Sequence, residues 1–245
     1  MTGGPRIDDG TYVLAMTGAG VSAESGVPTF RGAGGLWNNK RFEELASPEG
    51  FRADPAMVWQ FYSERRSKAQ TVHPNPGHLA LAELERALGD RFLLATQNVD
   101  GLHRRAGNKR MVELHGHLFT SRCSDCDRPP FEDETVYPAG SVPTCTGCGG
   151  MIRPHIVWFG EMLDPQILER VDAFVRSAAD KPFVFIAAGT SGVVYPAAGM
   201  VDLARQAGAD TWLVNTDPAD NGSRFHHFEQ GKSGEVLPRW FGSRR

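Results

Sequence analysis

The chain has 245 residues, a formal net charge of −3 and a pI near 6.2. Hydrophobic residues make up 40% and charged residues 22%, the balance of a globular protein with one large core, or one core and a smaller insertion. The charge excludes a general attraction to nucleic acid, no apolar run approaches the ~20 residues of a membrane span, and the opening MTGGPRIDDG lacks an apolar signal core. A cytoplasmic protein without nucleic-acid or membrane partners is expected.

Tyr12 to Met16 (YVLAM) predicts a strand that runs into the glycine-rich TGAGVSAESG. There Gly18-Ala19-Gly20-Val21-Ser22-Ala23 fits G-x-G-x-x-A, in which bare backbone N–H groups can approach a pyrophosphate. The same residues also read as a plain tight turn, and the usual acidic residue ~20 positions on is not evident. A glycine-rich loop, residues 28–35, follows and could fold over a ligand. Residues 36–75 read as a helical insertion, with Trp59, Phe61 and Tyr62 among Glu64, Arg65, Arg66 and Lys68, closed by the breaker His73-Pro74-Asn75-Pro76.

His78 to Leu88 predicts an amphipathic helix with Gly89 as its stop. Phe92 to Thr96 is a second buried strand, leading into Gln97-Asn98-Val99-Asp100. Residues 111–115 predict a third strand ending on His115. Residues 118–153 hold all four cysteines among prolines and glycines and cannot bury much apolar surface alone. Ile167 to Ala179 is a helix, Pro182 to Ala188 a strand ending in Gly189-Thr190-Ser191, Val201 to Gln206 a helix, and Thr211 to Val214 a strand ending at Asn215, with Asp217 beyond. This alternation implies an α/β fold: a parallel sheet with helices on both faces.

Cys123-x2-Cys126, then 18 residues, then Cys145-x2-Cys148 is the spacing of a four-thiolate zinc site. Four thiolates close the shell, so one structural zinc is expected; redox-active or unligated thiols are the alternative. Polar residues gather where strands end, which is where open parallel sheets bind ligands. Among them His115 has the pKa range of a general base, and His117 is its local competitor. Tyr62 and Arg65, spaced i, i+3 on a predicted helix, share one face. They could form a carboxylate receptor, or belong to an ordinary amphipathic helix with a solvated Arg.

These residues together resemble the sirtuins, the class III NAD-dependent protein-lysine deacylases. The likeness runs from Gly18 to Gly26 and through Thr29-Phe30-Arg31, Thr96 to Asp100, His115-Gly116, both cysteine pairs, Phe159-Gly160-Glu161, Gly189-Thr190-Ser191 and Asn215. It implies a Rossmann-like NAD-binding domain from residues 1–35, 76–117 and 154–245. A small domain would combine the helical module 36–75 and the zinc module 118–153. It implies that Gly18, Ala19, Gly20 and Arg31 hold the phosphates and the loop, and that Ser22, Ala23, Thr29, Phe30 and Trp37 also belong to the cofactor site. Gln97, Asn98 and Asp100 would hold the nicotinamide end, and Gly189, Thr190, Ser191, Asn215 and Asp217 the adenosine end, with Val99, Thr216 and Ser233 as further cofactor contacts. Val157, Trp158, Phe159, Gly160 and Glu161, with Val193, Val194 and Tyr195, would pair with the backbone of an acylated-lysine protein substrate. The implied chemistry is attack of the acyl oxygen on C1′ of the NAD ribose, loss of nicotinamide, and deprotonation of a ribose hydroxyl by His115, with Asn98 and Asp100 as catalytic partners. The products are O-acyl-ADP-ribose and free lysine. Within the family, Tyr62-Ser63-Glu64-Arg65 resembles the desuccinylase/demalonylase-like branch, which implies removal of succinyl, malonyl and acetyl groups; deacetylation alone, or a zinc module that binds NAD or ADP-ribose without turnover, is the alternative.

Overall fold

A computed structural model of the chain describes residues 3–29, 36–37, 40–190, 199–218 and 222–242. The strands are β1 (Tyr12–Thr17), β2 (Leu36–Trp37), β3 (Lys40–Arg41), β4 (Phe92–Thr96), β5 (Met111–Glu113), β6 (Gly116–Cys123), β7 (Phe131–Glu132), β8 (Ile152–Ile156), β9 (Phe183–Ala188), β10 (Asp210–Asn215) and β11 (His227–Gln230). The α-helices are α1 (Ala19–Ala23), α2 (Phe42–Leu45), α3 (Pro48–Ala53), α4 (Pro55–Thr71), α5 (Pro76–Leu88), α6 (Leu102–Ala106), α7 (Pro165–Ala178), α8 (Met200–Gln206) and α9 (Ser233–Phe241).

Among the described residues six strands form one sheet in the order β11-β10-β9-β1-β4-β5, and every neighbouring pair is parallel. Strands covered on both faces read as apolar runs, which is why FLLAT and FVFIAA are buried at every position. Successive side chains alternate between two cores. Leu14, Met16, Leu93, Phe185 and Leu213 meet Val171 and Val175 of α7 and Val201 of α8. Val13, Ala15, Leu94, Ile186 and Trp212 meet Leu81 and Leu84 of α5 and Val236 and Leu237 of α9. Each such large side chain contributes about 1.5–3 kcal/mol by leaving water. The winding direction reverses between the central neighbours β1 and β9, the position at which doubly wound sheets open a ligand crevice beyond their strand ends.

The segment His73 to Pro76 is a start as well as a break. Asn75 caps α5, its Oδ1 accepting from the Gly77 amide at 2.9 Å, and Pro76 occupies the first turn, where its missing N–H costs nothing. The helix therefore begins two residues before His78. Strand β5 ends at Glu113, so His115 lies in the two-residue turn before β6, not in the strand.

A third core joins the helical segment to the cysteine-bearing one: Phe51, Trp59, Phe61 and Tyr62 pack with Leu118, Cys123, Cys145, Ile152 and Trp158. Strand β6 pairs antiparallel with β7 and β8. Arg66, 0% exposed, ties α4 to this sheet. Its guanidinium donates to Asp133 and Ser121, each at 3.0 Å, and to the carbonyls of Leu118 and Thr135, each at 2.8 Å. No described helix is long and apolar enough to cross a membrane.

Candidate active site

Two glycine turns interlock at the carboxyl ends of β1 and β9. The Gly20 amide donates to Gly189 O at 2.8 Å and the Gly18 amide to Ala188 O at 3.0 Å. A Cβ on Gly20 would lie 2.7 Å from Gly189 Cα, and one on Gly189, whose φ is +59°, would lie 2.4 Å from the Val21 amide nitrogen. Both the tight-turn reading and the ligand reading of G-x-G thus have a physical basis: the glycines let two backbones touch, and the contact leaves Ala19 and Gly20 partly open at the mouth of the sheet. The donor set suits a dinucleotide, with bare backbone at the switch point and no carboxylate in the turn to oppose a pyrophosphate.

Below this mouth lies a buried polar network. Thr17 Oγ1 donates to Thr96 Oγ1 at 2.8 Å and lies 2.9 Å from His103 Nε2. Ser22 Oγ sits 3.4 Å from His78 Nε2. Asn98 Nδ2 donates to Ser22 Oγ and to Gly18 O, each at 3.0 Å, and the Asn98 amide donates to Thr96 Oγ1 at 3.1 Å. Asn98 is thereby fixed in one orientation, and Ser22, 1% exposed, is part of its mounting. Burial, with His103 and Arg105 nearby, drives His78 down to about 2, and burial drives His103 to about 4 against the pull of Asp100 and Asn108. Both rings are neutral at working pH. Asp100, 5% exposed, accepts the Leu102 amide at 2.8 Å. Gln97 donates to Thr190 Oγ1 at 3.1 Å, bridging the β4 and β9 turns, and Asn215 donates to Thr190 O at 3.3 Å.

His115 hangs over the same mouth from the β5–β6 turn, with Nδ1 3.2 Å from Gln97 O. Burial lowers its pKa and the Gln97 carbonyl partly restores it, so the imidazole is neutral near pH 7. The His115 carbonyl accepts the Val157 amide at 3.0 Å. Gly116 has φ +82°, and a Cβ there would lie 2.1 Å from His155 O, so this turn closes against β8 only with glycine. His117 is placed elsewhere: its ring packs on Phe119 at 5.7 Å between centroids and its Nε2 lies 3.8 Å from Glu113 Oε1.

Tyr62 and Arg65 share a face of α4. Tyr62 is 2% exposed and its hydroxyl accepts from Trp158 Nε1 at 2.9 Å. Burial pushes the Tyr62 phenol up to about 12, against the opposing pull of Arg65. Burial lowers Arg65, while Tyr62 and Asp100 raise it, so the pair sits within the electrostatic reach of the Gln97–Asp100 segment. Glu161 faces inward: its oxygens accept from Arg153 at 2.7 and 2.9 Å and from the Trp158 amide at 2.8 Å. Burial raises the Glu161 pKa, but Arg153 and the Trp158 amide outweigh it and hold the carboxyl below its usual value.

The four cysteine sulfurs lie within 4.8 Å of one another, with Cys123–Cys148 at 3.5 Å and Cys126–Cys145 at 3.9 Å. A tetrahedron with Zn–S bonds of ~2.3 Å has edges of roughly 3.8 Å, so the donors fit zinc. Backbone amides of Asp125, Gly147 and Gly150 point at Cys123, Cys145 and Cys148, as a thiolate cluster requires. None of the four forms a disulfide.

The remaining predicted residues are dispersed. Val99, 8% exposed, joins the third core. Ala23 is exposed, Thr29 half-buried, and Trp37 ends β2. Thr216 and Asp217 are exposed and bonded to each other at 2.9 Å. Ser233, 3% exposed, opens α9 against α5. Phe159 is exposed and Gly160 has φ +86°. Phe30, Arg31, Ser191, Val193, Val194 and Tyr195 lie outside the described residues. Sequence reasoning gave no role to Thr17, Thr96, His78 and His103; for Thr17 and Thr96 the signal was a polar residue closing an apolar run, and for His103, set between Leu102 and Arg104, there was none.

A family profile described as "Sir2 family" matches residues 18–196. The NAD-dependent protein deacylase 2 of Pyrobaculum aerophilum is 48% identical over 93% of this chain and 89% of its own length. The NAD-dependent protein deacylase sirtuin-5, mitochondrial, of Canis lupus familiaris is 44% identical over 93% of this chain and 80% of its own. Among solved structures, a Sir2 homologue–NAD complex superimposes with TM-score 0.87 at 42% identity, covering 98% of this chain and 95% of that one. A mutant Sir2 homologue in complex with 2′-O-acetyl ADP ribose gives 0.86 at 45%, covering 94% and 90%. Matched along most of its length at these identities, the chain belongs to the Sir2 family.

Proposed function

We propose that the chain is an NAD-dependent protein-lysine deacylase whose preferred acyl groups carry a terminal carboxylate. The observation that carries the catalytic reading is the bond of His115 to the Gln97 carbonyl. A carbonyl only accepts, so Nδ1 holds the proton and Nε2 keeps the lone pair that a general base needs. NAD supplies the ADP-ribosyl group that receives the acyl chain. The Gly18–Gly20 turn would hold its phosphates, Gln97, Asn98 and Asp100 its nicotinamide end, and the Gly189–Thr190 turn its adenosine end. His115 takes the proton from a ribose hydroxyl so that the oxygen can attack the acyl carbon.

The chain divides into two parts, and Val99, Ile156 and Trp158 of the larger part pack into the core of the smaller. Residues 1–35, 76–117 and 154–245 form the NAD-binding domain, and 36–75 with 118–153 the small domain, pinned by one structural zinc. The acyl-lysine peptide lies along Val157–Glu161. Here the amides of Val157, Trp158 and Phe159 already bond inside the protein, so the segment presents chiefly carbonyls to the substrate backbone. Grouped reduced cysteines and a net charge of −3 favour a cytoplasmic site of action and protein substrates over nucleic acid or membrane.

Tyr62 and Arg65, both donors, suit a succinyl or malonyl carboxylate. That a similar Sir2 homologue holds 2′-O-acetyl ADP ribose favours acetyl as a further acyl group. The test is a panel of succinyl-, malonyl-, glutaryl- and acetyl-lysine peptides with NAD, reading nicotinamide and O-acyl-ADP-ribose. Nicotinamide release independent of acyl peptide would defeat the deacylase reading; equal turnover of succinyl and acetyl peptides would defeat the carboxylate preference.

A further inference from the structure

We propose that Trp158 sets the acyl selectivity of this site by fixing the hydrogen-bond polarity of Tyr62; this rests on reading Tyr62 and Arg65 as the carboxylate receptor. An indole N–H donates and cannot accept, so the 2.9 Å contact between Trp158 Nε1 and Tyr62 Oη runs in one direction. The phenol oxygen accepts there, and its own proton must turn elsewhere. The bond from Trp158 is the one described for the Tyr62 hydroxyl, and it does not use that proton. Tyr62 also stays protonated throughout the working range, because burial pushes it up to about 12. Beside it Arg65 offers only donors. The receptor therefore presents donors alone, which an acyl carboxylate satisfies and an acetyl methyl does not.

Trp158 can impose this direction because it cannot turn. It is 2% exposed. The Arg153 guanidinium lies 3.3 Å from one ring centroid, and Phe51 packs against it at 5.4 Å between centroids. Glu161 holds the Trp158 amide at 2.8 Å and clamps Arg153 at 2.7 and 2.9 Å. The order of action is Glu161 on Arg153, both on Trp158, Trp158 on Tyr62, and Tyr62 on the ligand. Trp158 is a positioning residue: its ring reaches the acyl group only through the phenol.

The test compares kcat/KM for succinyl-lysine and acetyl-lysine peptides in the full chain, Trp158→Phe, Tyr62→Phe and the double variant. Trp158→Phe keeps an aromatic ring and deletes the donor. Its succinyl-to-acetyl ratio should fall about five-fold, the worth of one hydrogen bond, mainly through the succinyl KM. Tyr62→Phe should lower the ratio as well, and the double variant should fall no further than Tyr62→Phe alone. A ratio unmoved by Trp158→Phe, or losses that multiply in the double variant, overturns the proposal while leaving the receptor intact. A ratio at or below one in the unmutated chain overturns the receptor reading and this proposal together. If Trp158→Phe loses its zinc or its folding transition, a benzothiophene analogue of tryptophan at position 158 makes the same comparison, since it exchanges only N–H for sulfur.

Discussion

The backbone oxygen of Gln97 lies 3.2 Å from Nδ1 of His115 and selects the tautomer whose Nε2 is free. Because burial disfavours the imidazolium and the carbonyl only partly compensates, the acid limb of kcat/KM against pH should fall below the ~6.5 of free imidazole. His115→Ala should lower acyl transfer by about 10²–10⁴-fold. An acid limb above that value would place the essential ionisation on another group, with His117 the first to examine by His117→Asn.

Zinc content by metal analysis should be one per chain. Cys145→Ser leaves three thiolates around a site that closes with four, and a loss of about 3 kcal/mol would lower the thermal transition by roughly 6–12 °C. Chelation should inactivate by unfolding the small core, visible as lost thermal cooperativity, since a closed thiolate shell holds no reactive water. A chelated chain with an unchanged transition would contradict a structural role.

Gly20→Ala tests the interlocked turns. Its methyl would meet Gly189 Cα at 2.7 Å and Gly189 O at 2.9 Å, all backbone, so one of the two turns must move. Overpacking of this kind costs about 1–3 kcal/mol, and the KM for NAD should rise at least several-fold while the acyl-peptide KM changes less. Equal changes in both would show that the turn serves the whole cleft.

Stability should also depend on pH through His78 and His103. Their folded values, about 2 and about 4, are depressed below the unfolded value near 6.5. Below 6.5 the unfolded chain binds protons that the folded chain refuses, so the stabilisation is complete above pH 6.5 and lost as pH falls towards 4. Each ring contributes a slope of about 1.4 kcal/mol per pH unit in that window. Urea midpoints between pH 7 and pH 4.5 measure it; His78→Asn should flatten the slope, and an unchanged slope would show that His78 does not titrate on unfolding.

Burial decided what could be read in the sequence. Strands β1, β4, β9 and β10 are covered on both faces, so each stands out as an apolar run. Strand β11, HFEQ, is largely exposed and shows no such pattern. The cysteine spacing is local and carried its geometry with it. The mounting of Asn98 is not local: Thr17 reaches partners 79 and 86 positions away, and no periodicity announces a polar network inside a core. The motif marks Glu161 as part of a segment that pairs through its backbone, and it does not announce that the carboxylate is engaged with Arg153 and the Trp158 amide. What a motif cannot show is which neighbour a side chain spends its charge on.

The central position of β1 has a consequence for synthesis. One of its edges pairs with β4, but the other is closed by β9, which begins at Phe183. At ribosomal rates of ~5–20 residues per second, that edge waits roughly 10–30 s for its partner. During this interval Tyr12–Thr17, apolar on both faces, offers unpaired backbone to any other nascent strand, and the Gly18 turn has nothing to lock against. A chain stopped before residue 183 should therefore need a chaperone to stay dispersed and fail to retain NAD, even though it already holds the first glycine turn, His115 and all four cysteines.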